Sequence, residues 1–173
     1  MTGEPDEQRD SDLMGRLESV YALAGEGALE AGAAILAARL GGLGADAGFI
    51  ATVSPDRRTV EVVRVTPFSR APVRLAFPAD APYPLASAIR RDEALFISSN
   101  ETLACDHPGL IRIRGDDHAC ATVPLHTMAG ALIGSANVSF EDPREFSDGD
   151  RIELESVFAA CAEAMEQALA RES

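Results

Sequence analysis

The sequence predicts an α+β fold built on a six-stranded, mostly antiparallel sheet. Two observations support this prediction. Apolar residues recur at helical spacing near both ends of the 173-residue chain, and in its middle they alternate with polar residues at the period of a strand. Strands grouped between terminal helices are typical of α+β domains. We therefore expect long N- and C-terminal helices on one face of the sheet, with short helices and loops roofing a pocket on the other.

The first predicted element is a helix that follows a short acidic tail. Residues 1–9 are polar and acidic and are predicted to be disordered, leaving a single domain over residues 10–173. A second helix is predicted over residues 28–40, between two glycine-containing breaks. The stripe of the first helix, from Asp10 to Ala24, consists of Leu13, Leu17, Val20 and Ala24.

The strands come next and are separated by turn-forming residues. The first two are joined by Ser54-Pro55-Asp56-Arg57, which has the composition of a β-turn, and two prolines mark residues 66–72 as a loop. A short helix is predicted at Leu85–Arg91, and residues 100–116 are predicted to be irregular with a helical turn or two. The predicted strands are Ala47–Val53, Thr59–Val65, Val73–Phe77, Ala94–Ser98, Ala119–Leu125 and Ala131–Phe140.

The last predicted element is a long helix that runs to about Ala170. Ser147 lies three residues before Asp150, which predicts an N-cap. The apolar stripe of this helix has the 4-3-4-3 spacing of a coiled-coil seam, and it consists of Leu154, Phe158, Cys161, Met165 and Ala168. Because the first helix carries a similar stripe, we predict a homodimer in which the terminal helices of two copies form a four-helix bundle.

Length and composition exclude several classes of function. The formal net charge is −13 and every cation is an arginine, so the chain lacks the basic footprint of a nucleic-acid-binding domain. No apolar run approaches the roughly 20 residues of a membrane helix, and the N-terminus does not resemble a signal peptide. The three cysteines have no metal-finger spacing and indicate free thiols in a reducing, cytoplasmic compartment.

Alternation along the strands predicts where a ligand would bind. His118, Cys120 and Thr122 share one strand face, and small polar residues lie on one face of the last strand. We expect these mixed faces to point into a pocket, whereas the uniformly apolar faces, Leu132 and Ala136 among them, should pack on the terminal helices. The competing interpretation is a space filled by these side chains. The candidate lining residues are Phe77, Tyr83, Ile89, Phe96, Ile111, His118, Cys120 and Thr122.

Motifs in the C-terminal half resemble those of GAF domains. They are Val123-Pro124-Leu125, the run from Ala129 to Gly134, Val138-Ser139-Phe140, and Pro143-Arg144-Glu145-Phe146-Ser147 before a long helix. The resemblance covers about residues 15–170. It implies a small-molecule sensory or regulatory domain of bacterial type, here a stand-alone copy, that pairs through its end helices and acts on a homodimer partner or another signalling protein.

Stricter signatures within that family are mostly missing. The cyclic-nucleotide type needs a lysine that this chain lacks, and the bilin type joins its chromophore to a cysteine directly followed by His or Tyr, whereas Asp106 follows Cys105. Cys105, His107, His118 and Cys120 form a possible zinc set, but their tight spacing favours a buried Cys120 that acts as a small hydrophobe.

The resemblance leaves one enzymatic alternative. Free methionine-(R)-sulfoxide reductases share the family's fold and need two nearby cysteines, a requirement that Cys105 and Cys120 could meet. We favour a non-enzymatic sensor with no catalytic residues and no metal. The sequence identifies neither the ligand nor any cofactor.

Overall fold

The computed structural model describes residues 26–67, 69–112 and 119–172. The predicted tail, the predicted helix from Asp10 to Ala24, and His118 lie outside these residues. The helices are α1 (Glu26–Leu43), α2 (Pro84–Arg91), α3 (Asn100–Asp106) and α4 (Asp148–Glu172). The strands are β1 (Ala47–Val53), β2 (Thr59–Thr66), β3 (Ser69–Pro78), β4 (Leu95–Ile97), β5 (Ala119–His126) and β6 (Leu132–Phe140).

The six strands form one sheet in the order β3-β2-β1-β6-β5-β4. Each neighbouring pair is antiparallel, which confirms the predicted α+β class. The central strands β1 and β6 are buried along their whole length, because helices cover both faces of the sheet there. Within the described part of the chain, none of the helices combines the length and apolarity needed to cross a membrane.

β3 is longer than predicted. It begins at Ser69, inside the segment that the two prolines marked as a loop. β3 pairs with β2 alone, and an edge strand tolerates Pro72 because one side of its backbone needs no ladder hydrogen bond. The predicted turn between β1 and β2 is confirmed, since the Arg57 N–H donates to the Ser54 carbonyl at 2.8 Å.

Helices α1 and α4 lie together on one face of the sheet, as predicted for long helices. Their apolar side chains share one core cluster with Ile50, Val63 and Phe140 of the strands. α1 includes Gly41-Gly42, the predicted break, and ends one residue later at Leu43. Gly44 ends the helix instead, with φ at +68°, while Ala45 N–H donates to the Leu40 carbonyl at 3.1 Å.

The apolar stripe of α4 is part of this core. Leu154, Phe158, Cys161 and Met165 are all buried within a single copy of the chain. Val157 and Ala162 are buried beside them, so the face is broader than the predicted narrow seam. α1 and the sheet cover this face within one copy of the chain. The homodimer itself stays a prediction.

A bulge in β6 changes which residues face the helices. Leu125 pairs with Gly134, but the next residue, His126, pairs with Leu132, so Ile133 is the extra residue. Ile133 consequently joins the α1–α4 core and Leu132 packs in a second cluster on the other face. The prediction that placed Leu132 with Ala136 was wrong for this reason.

The start of α4 is fixed by a reciprocal pair of hydrogen bonds. Asp150 N–H donates to Ser147 Oγ at 3.1 Å, and Ser147 N–H donates to a carboxylate oxygen of Asp150 at 3.0 Å. This is the capping-box arrangement, with Asp in the place of the usual Glu. The predicted N-cap is confirmed. Phe146, the residue before the cap, packs edge-to-face on Phe140 with ring centroids 5.9 Å apart.

Candidate functional site

The candidate site is built on a buried ladder of polar side chains across β5 and β6. Thr122 pairs with Asn137 and Cys120 pairs with Ser139, so the four side chains lie on one face of the sheet. The Asn137 amide donates to Thr122 Oγ1 at 2.5 Å, and Ser139 Oγ donates to the Asn137 carbonyl oxygen at 3.0 Å. All four residues are buried.

Helix α3 covers one end of this ladder. It begins at Ser99, whose hydroxyl accepts a hydrogen bond from the Thr102 N–H at 3.1 Å. Leu103 of the same helix packs with Ile97 and Cys120 in a small apolar cluster. The short helix therefore shields the thiol from solvent and connects it to the segment that follows.

The environment of Cys120 suppresses its ionisation. Burial raises the pKa of the thiol, and this effect outweighs the nearby Arg112 guanidinium and the hydrogen bonds with Asn137, Arg112 and Thr122. Arg112 is oriented by Asn100 of α3, whose side-chain oxygen accepts from its Nε at 2.6 Å. At neutral pH the thiol is thus protonated and packs as a small, weakly polar side chain against Ile97 and Leu103.

Helix α2 covers the other end of the same face. Ser135 lies two residues before Asn137 on β6 and therefore on the same face of the sheet. Its hydroxyl donates to the Leu85 carbonyl at 2.9 Å. The Phe77 and Tyr83 rings meet edge-to-face with centroids 4.9 Å apart, and Ile89 belongs to the same apolar cluster. The two short helices thus lie over one face of the sheet, as the sequence predicted.

Arg90 connects α2 by hydrogen bonds to the segment that precedes it. One terminal nitrogen of its guanidinium donates to the carbonyls of Ala79 and Ala81, at 2.9 and 2.8 Å. Burial lowers the pKa of Arg90, and the neighbouring Arg91 acts in the same direction. The group nevertheless remains a cation at neutral pH, because an arginine titrates far above it. These bonds hold the segment after β3 against the helix.

The structure groups five of the predicted lining residues on this face. Cys120 and Thr122 belong to the polar ladder, while the other three are packed around α2; these three are Phe77, Tyr83 and Ile89. Ile111 is largely exposed, although its N–H donates to the Pro82 carbonyl at 2.7 Å. His118 is outside the described residues. Whether the grouped residues bind a ligand stays a prediction.

Phe96 was assigned to the wrong face. It pairs with Ala121, whose side chain belongs to the α1–α4 core. The Phe96 ring packs on Phe146 with centroids 5.6 Å apart, and the Arg151 guanidinium of α4 lies 4.4 Å from its centroid. Because side chains alternate along a strand, Leu95 and Ile97 lie on the face of the polar ladder instead.

Asn137, Ser139 and Arg112 lie in the site but are not among the predicted lining residues. The first two carried a signal, since they alternate with apolar residues along an otherwise buried strand. No sequence signal marked Arg112, because it follows α3 in a segment where apolar residues show neither helical nor strand periodicity. Its place beside Cys120 depends on how the chain returns to β5.

The ladder supplies neutral hydrogen-bonding groups. Two hydroxyls, one amide and one protonated thiol can donate to and accept from a polar ligand, but at neutral pH none of these four groups is a strong base. Among the residues that the structure describes, no three His, Cys, Asp or Glu side chains are grouped so as to hold a metal ion. This chemistry favours binding over proton transfer.

A family comparison decides the classification. A model described as the GAF domain matches residues 28–166, which is most of the chain. The chain belongs to the GAF domain family. The resemblance found in the sequence motifs is confirmed. No curated protein matches the chain significantly.

Solved GAF domains share the fold at low sequence identity. The GAF domain of an Acinetobacter phosphoenolpyruvate-protein phosphotransferase is 12% identical, with a TM-score of 0.59 over 96% of this chain and 97% of that one. A GAF sensor protein from Burkholderia vietnamiensis is 17% identical, with a TM-score of 0.59 over 96% and 93%. The free methionine-R-sulfoxide reductase from Neisseria meningitidis is 15% identical, with a TM-score of 0.56 over 89% and 98%. These likenesses show the fold alone.

Proposed function

We propose that this GAF domain is a non-enzymatic sensory or regulatory domain that binds a small molecule against the polar ladder of β5 and β6. The observation that carries the proposal is the buried set of Thr122, Asn137 and Ser139 on the face beneath the two short helices. The ligand is a polar small molecule that exchanges hydrogen bonds with these groups.

The energetics of burial support this assignment. Internal hydrogen bonds between buried neutral groups add only about 1 kcal/mol each, and an apolar set of the same shape would fill the space comparably well. A few placed polar groups among apolar side chains are typical of small-molecule sites. The apolar cluster around α2 supplies the remaining surface, and Cys120 extends it beneath α3.

The regulatory output requires a partner. We expect the domain to act on a second copy or on another signalling protein in the cytoplasm, a setting consistent with its three free cysteines. Because the inner face of α4 is buried in its own copy, either partner would have to meet an outer surface.

Native mass spectrometry of the purified chain tests ligand binding. We expect a bound mass in the small-molecule range that Thr122→Val greatly reduces, because valine keeps the volume of threonine and removes its hydroxyl. Thr52→Val is the matched control, since Thr52 is a buried threonine on β1 outside the ladder. A bound mass that both variants retain equally would contradict the proposal.

The reductase alternative needs a reactive thiolate pair. The fold shared with the Neisseria reductase favours it, whereas the raised pKa and burial of Cys120 count against it, because the thiol is a poor nucleophile. We expect no reduction of free methionine-(R)-sulfoxide with a thiol donor. Turnover that Cys105→Ser or Cys120→Ser abolishes would establish the enzyme instead.

A further inference from the structure

An open groove lies between α4 and the β5–β6 turn, on the helix side of the molecule. Its volume is about 470 Å³. The floor consists of the small residues Ser156, Ala159 and Ala160 of α4, and Met128 forms the opposite wall. The Met128 N–H donates to a carboxylate oxygen of Glu166 at 3.1 Å, which fixes the turn against the helix.

Met128 lines this groove, and Ile152 lies about one helical turn before the lining residue Ser156. Met128 is 91% exposed and Ile152 is 68% exposed. Ile152, Ser156 and Ala159 follow one another at helical spacing and so form one outward stripe on α4. This outer stripe, together with Met128, presents small and apolar side chains opposite the side of α4 that packs in the core. Small side chains on a helix let another helix approach closely, and a methionine adapts to varied partners.

The negative charge of the groove favours a positively charged partner. Glu163 and Glu166 line it, and none of its lining residues is an arginine. Residues 141–173 carry ten acidic residues against three arginines. We propose that this groove docks a basic amphipathic helix of a partner protein, with apolar side chains between Met128 and Ala159 and Lys or Arg beside the glutamates. This names the partner of the regulatory role proposed above and rests on that role.

Charge disfavours the other occupants. A two-fold pairing of α4 with α4 of a second copy would bring two such acidic segments together, at a cost that grows at low salt. Residues 1–25, which include the predicted helix from Asp10 to Ala24, carry six acidic residues against two arginines and would meet the same repulsion. A cationic partner gains attraction at the same place and associates faster.

Fluorescence anisotropy with a synthetic peptide tests the docking. The probe is an 18-residue labelled helix with Leu and Ala on one face and Lys on the other, titrated with the full chain. We expect saturable binding of one peptide per chain that weakens with added salt, and no binding of the same peptide with Glu in place of Lys. Failure of the Lys peptide to bind would overturn the proposal.

Matched variants separate docking in the groove from attraction to an acidic protein. Ala159→Arg places a cation on the floor, and Ala34→Arg makes the same charge change at an exposed position of α1. We expect Ala159→Arg to weaken binding by about tenfold or more and Ala34→Arg to have little effect. Met128→Ser, which keeps the charge, should also weaken it. Equal effects of the two arginine variants would overturn the proposal, as would a native dimer that Ala159→Arg dissociates.

The two proposals fail in different ways. Peptide binding is measured without any small molecule, so its loss in Ala159→Arg does not depend on the ladder. Retention of a bound small molecule in Thr122→Val would contradict the ligand site and leave the docking result standing. Absence of peptide binding beside a ladder-dependent ligand would contradict the docking alone.

Discussion

Asn137 connects the polar ladder because it uses both ends of its side-chain amide. The amide nitrogen donates to Thr122 and the oxygen accepts from Ser139, all inside the sheet face. Removal of this one side chain would take a hydrogen-bond partner from each of two buried hydroxyls, which costs more than replacement of the whole set by apolar groups. The hydrogen bonds of the ladder are therefore coupled, and a change at Thr122 also affects Asn137.

Gly134 is required by the close approach of β6 to β1 beside the bulge. A Cβ at this position would lie 1.9 Å from the Ala51 carbonyl oxygen, which is backbone and cannot rotate away. We predict that Gly134→Ala lowers the free energy of unfolding by about 2 kcal/mol or more, measured by urea denaturation.

Gly41→Ala is the control for that substitution. Gly41 lies in the last turn of α1, and an added Cβ there meets nothing within 4 Å. Since alanine favours a helix over glycine, the same measurement should show no loss and up to about 1 kcal/mol of gain. Equal losses of unfolding free energy in Gly134→Ala and Gly41→Ala would contradict a specific steric cost of a Cβ beside the Ala51 carbonyl oxygen.

Phe96 shows why residue-level site assignment is limited. Alternation correctly placed Cys120 and Thr122 on one face, but β4 has only three residues and its pattern, Leu95-Phe96-Ile97, is apolar throughout. Because none of the three residues is polar, the sequence is equally compatible with Phe96 on either face of the sheet. The pairing of Phe96 with Ala121, which settles the matter, is a long-range contact.

At the scale of elements, the stripe of α4 illustrates a similar limit. The apolar seam of a coiled coil repeats every 3.5 residues, and the buried face of a straight α-helix repeats every 3.6 residues. The two directions diverge by only about 20° per heptad. Over the two heptads from Leu154 to Ala168 the difference is smaller than the width of either stripe. The sequence could therefore predict the helix and its buried face, but not whether that face meets its own sheet or a second copy.

The capping box of α4 predicts a dependence on pH. Hydrogen bonds from the Ser147 backbone and then its hydroxyl lower the pKa of Asp150, with a smaller contribution from Arg144. A lowered folded-state pKa means that the carboxylate stabilises the fold above the ordinary Asp value of about 3.9. This contribution is lost as the pH falls through the lowered pKa.

Asp150→Asn should remove that dependence. We expect the variant to be less stable than the parent at neutral pH, and the difference to shrink as the pH falls below about 4, in thermal melts recorded from pH 7 to pH 2.5. Ser147 still caps the helix in this variant, so the helical circular dichroism should persist at pH 7. A difference that stays constant over this range would show that the charge of Asp150 does not matter.

At the scale of the whole molecule, charge is divided along the chain. Residues 57–91 hold seven arginines against two acidic residues, whereas residues 141–173 are acidic. The sheet order separates β3, on one edge, from β5, over which α4 packs. Arg74 of β3 forms an ion pair with Glu30 of α1 at 2.6 Å and not with the acidic segment that contains α4. The acidic groove and the basic edge are thus distinct surfaces of one domain.

The fold class followed from periodicity, because the spacing of apolar residues is a local property that survives in the folded chain. The candidate site depends on how distant segments meet. Arg112, Cys120 and Asn137 come from three separate parts of the chain, and their contact depends on strand register and on the return of the chain after α3. Those features leave little trace in local sequence.

Amide shift mapping by NMR on the ¹⁵N-labelled chain, with a library of small polar fragments, tests whether the polar ladder of β5 and β6 is a ligand site. We expect the amides of Thr122, Asn137 and Ser139 to shift in a saturable way, and Thr122→Val to remove the response while Thr52→Val keeps it. Fragments that shift only the groove of Met128 and Ala159, or that leave the β5–β6 ladder unchanged throughout the library, would contradict the assignment of the ladder as the ligand site.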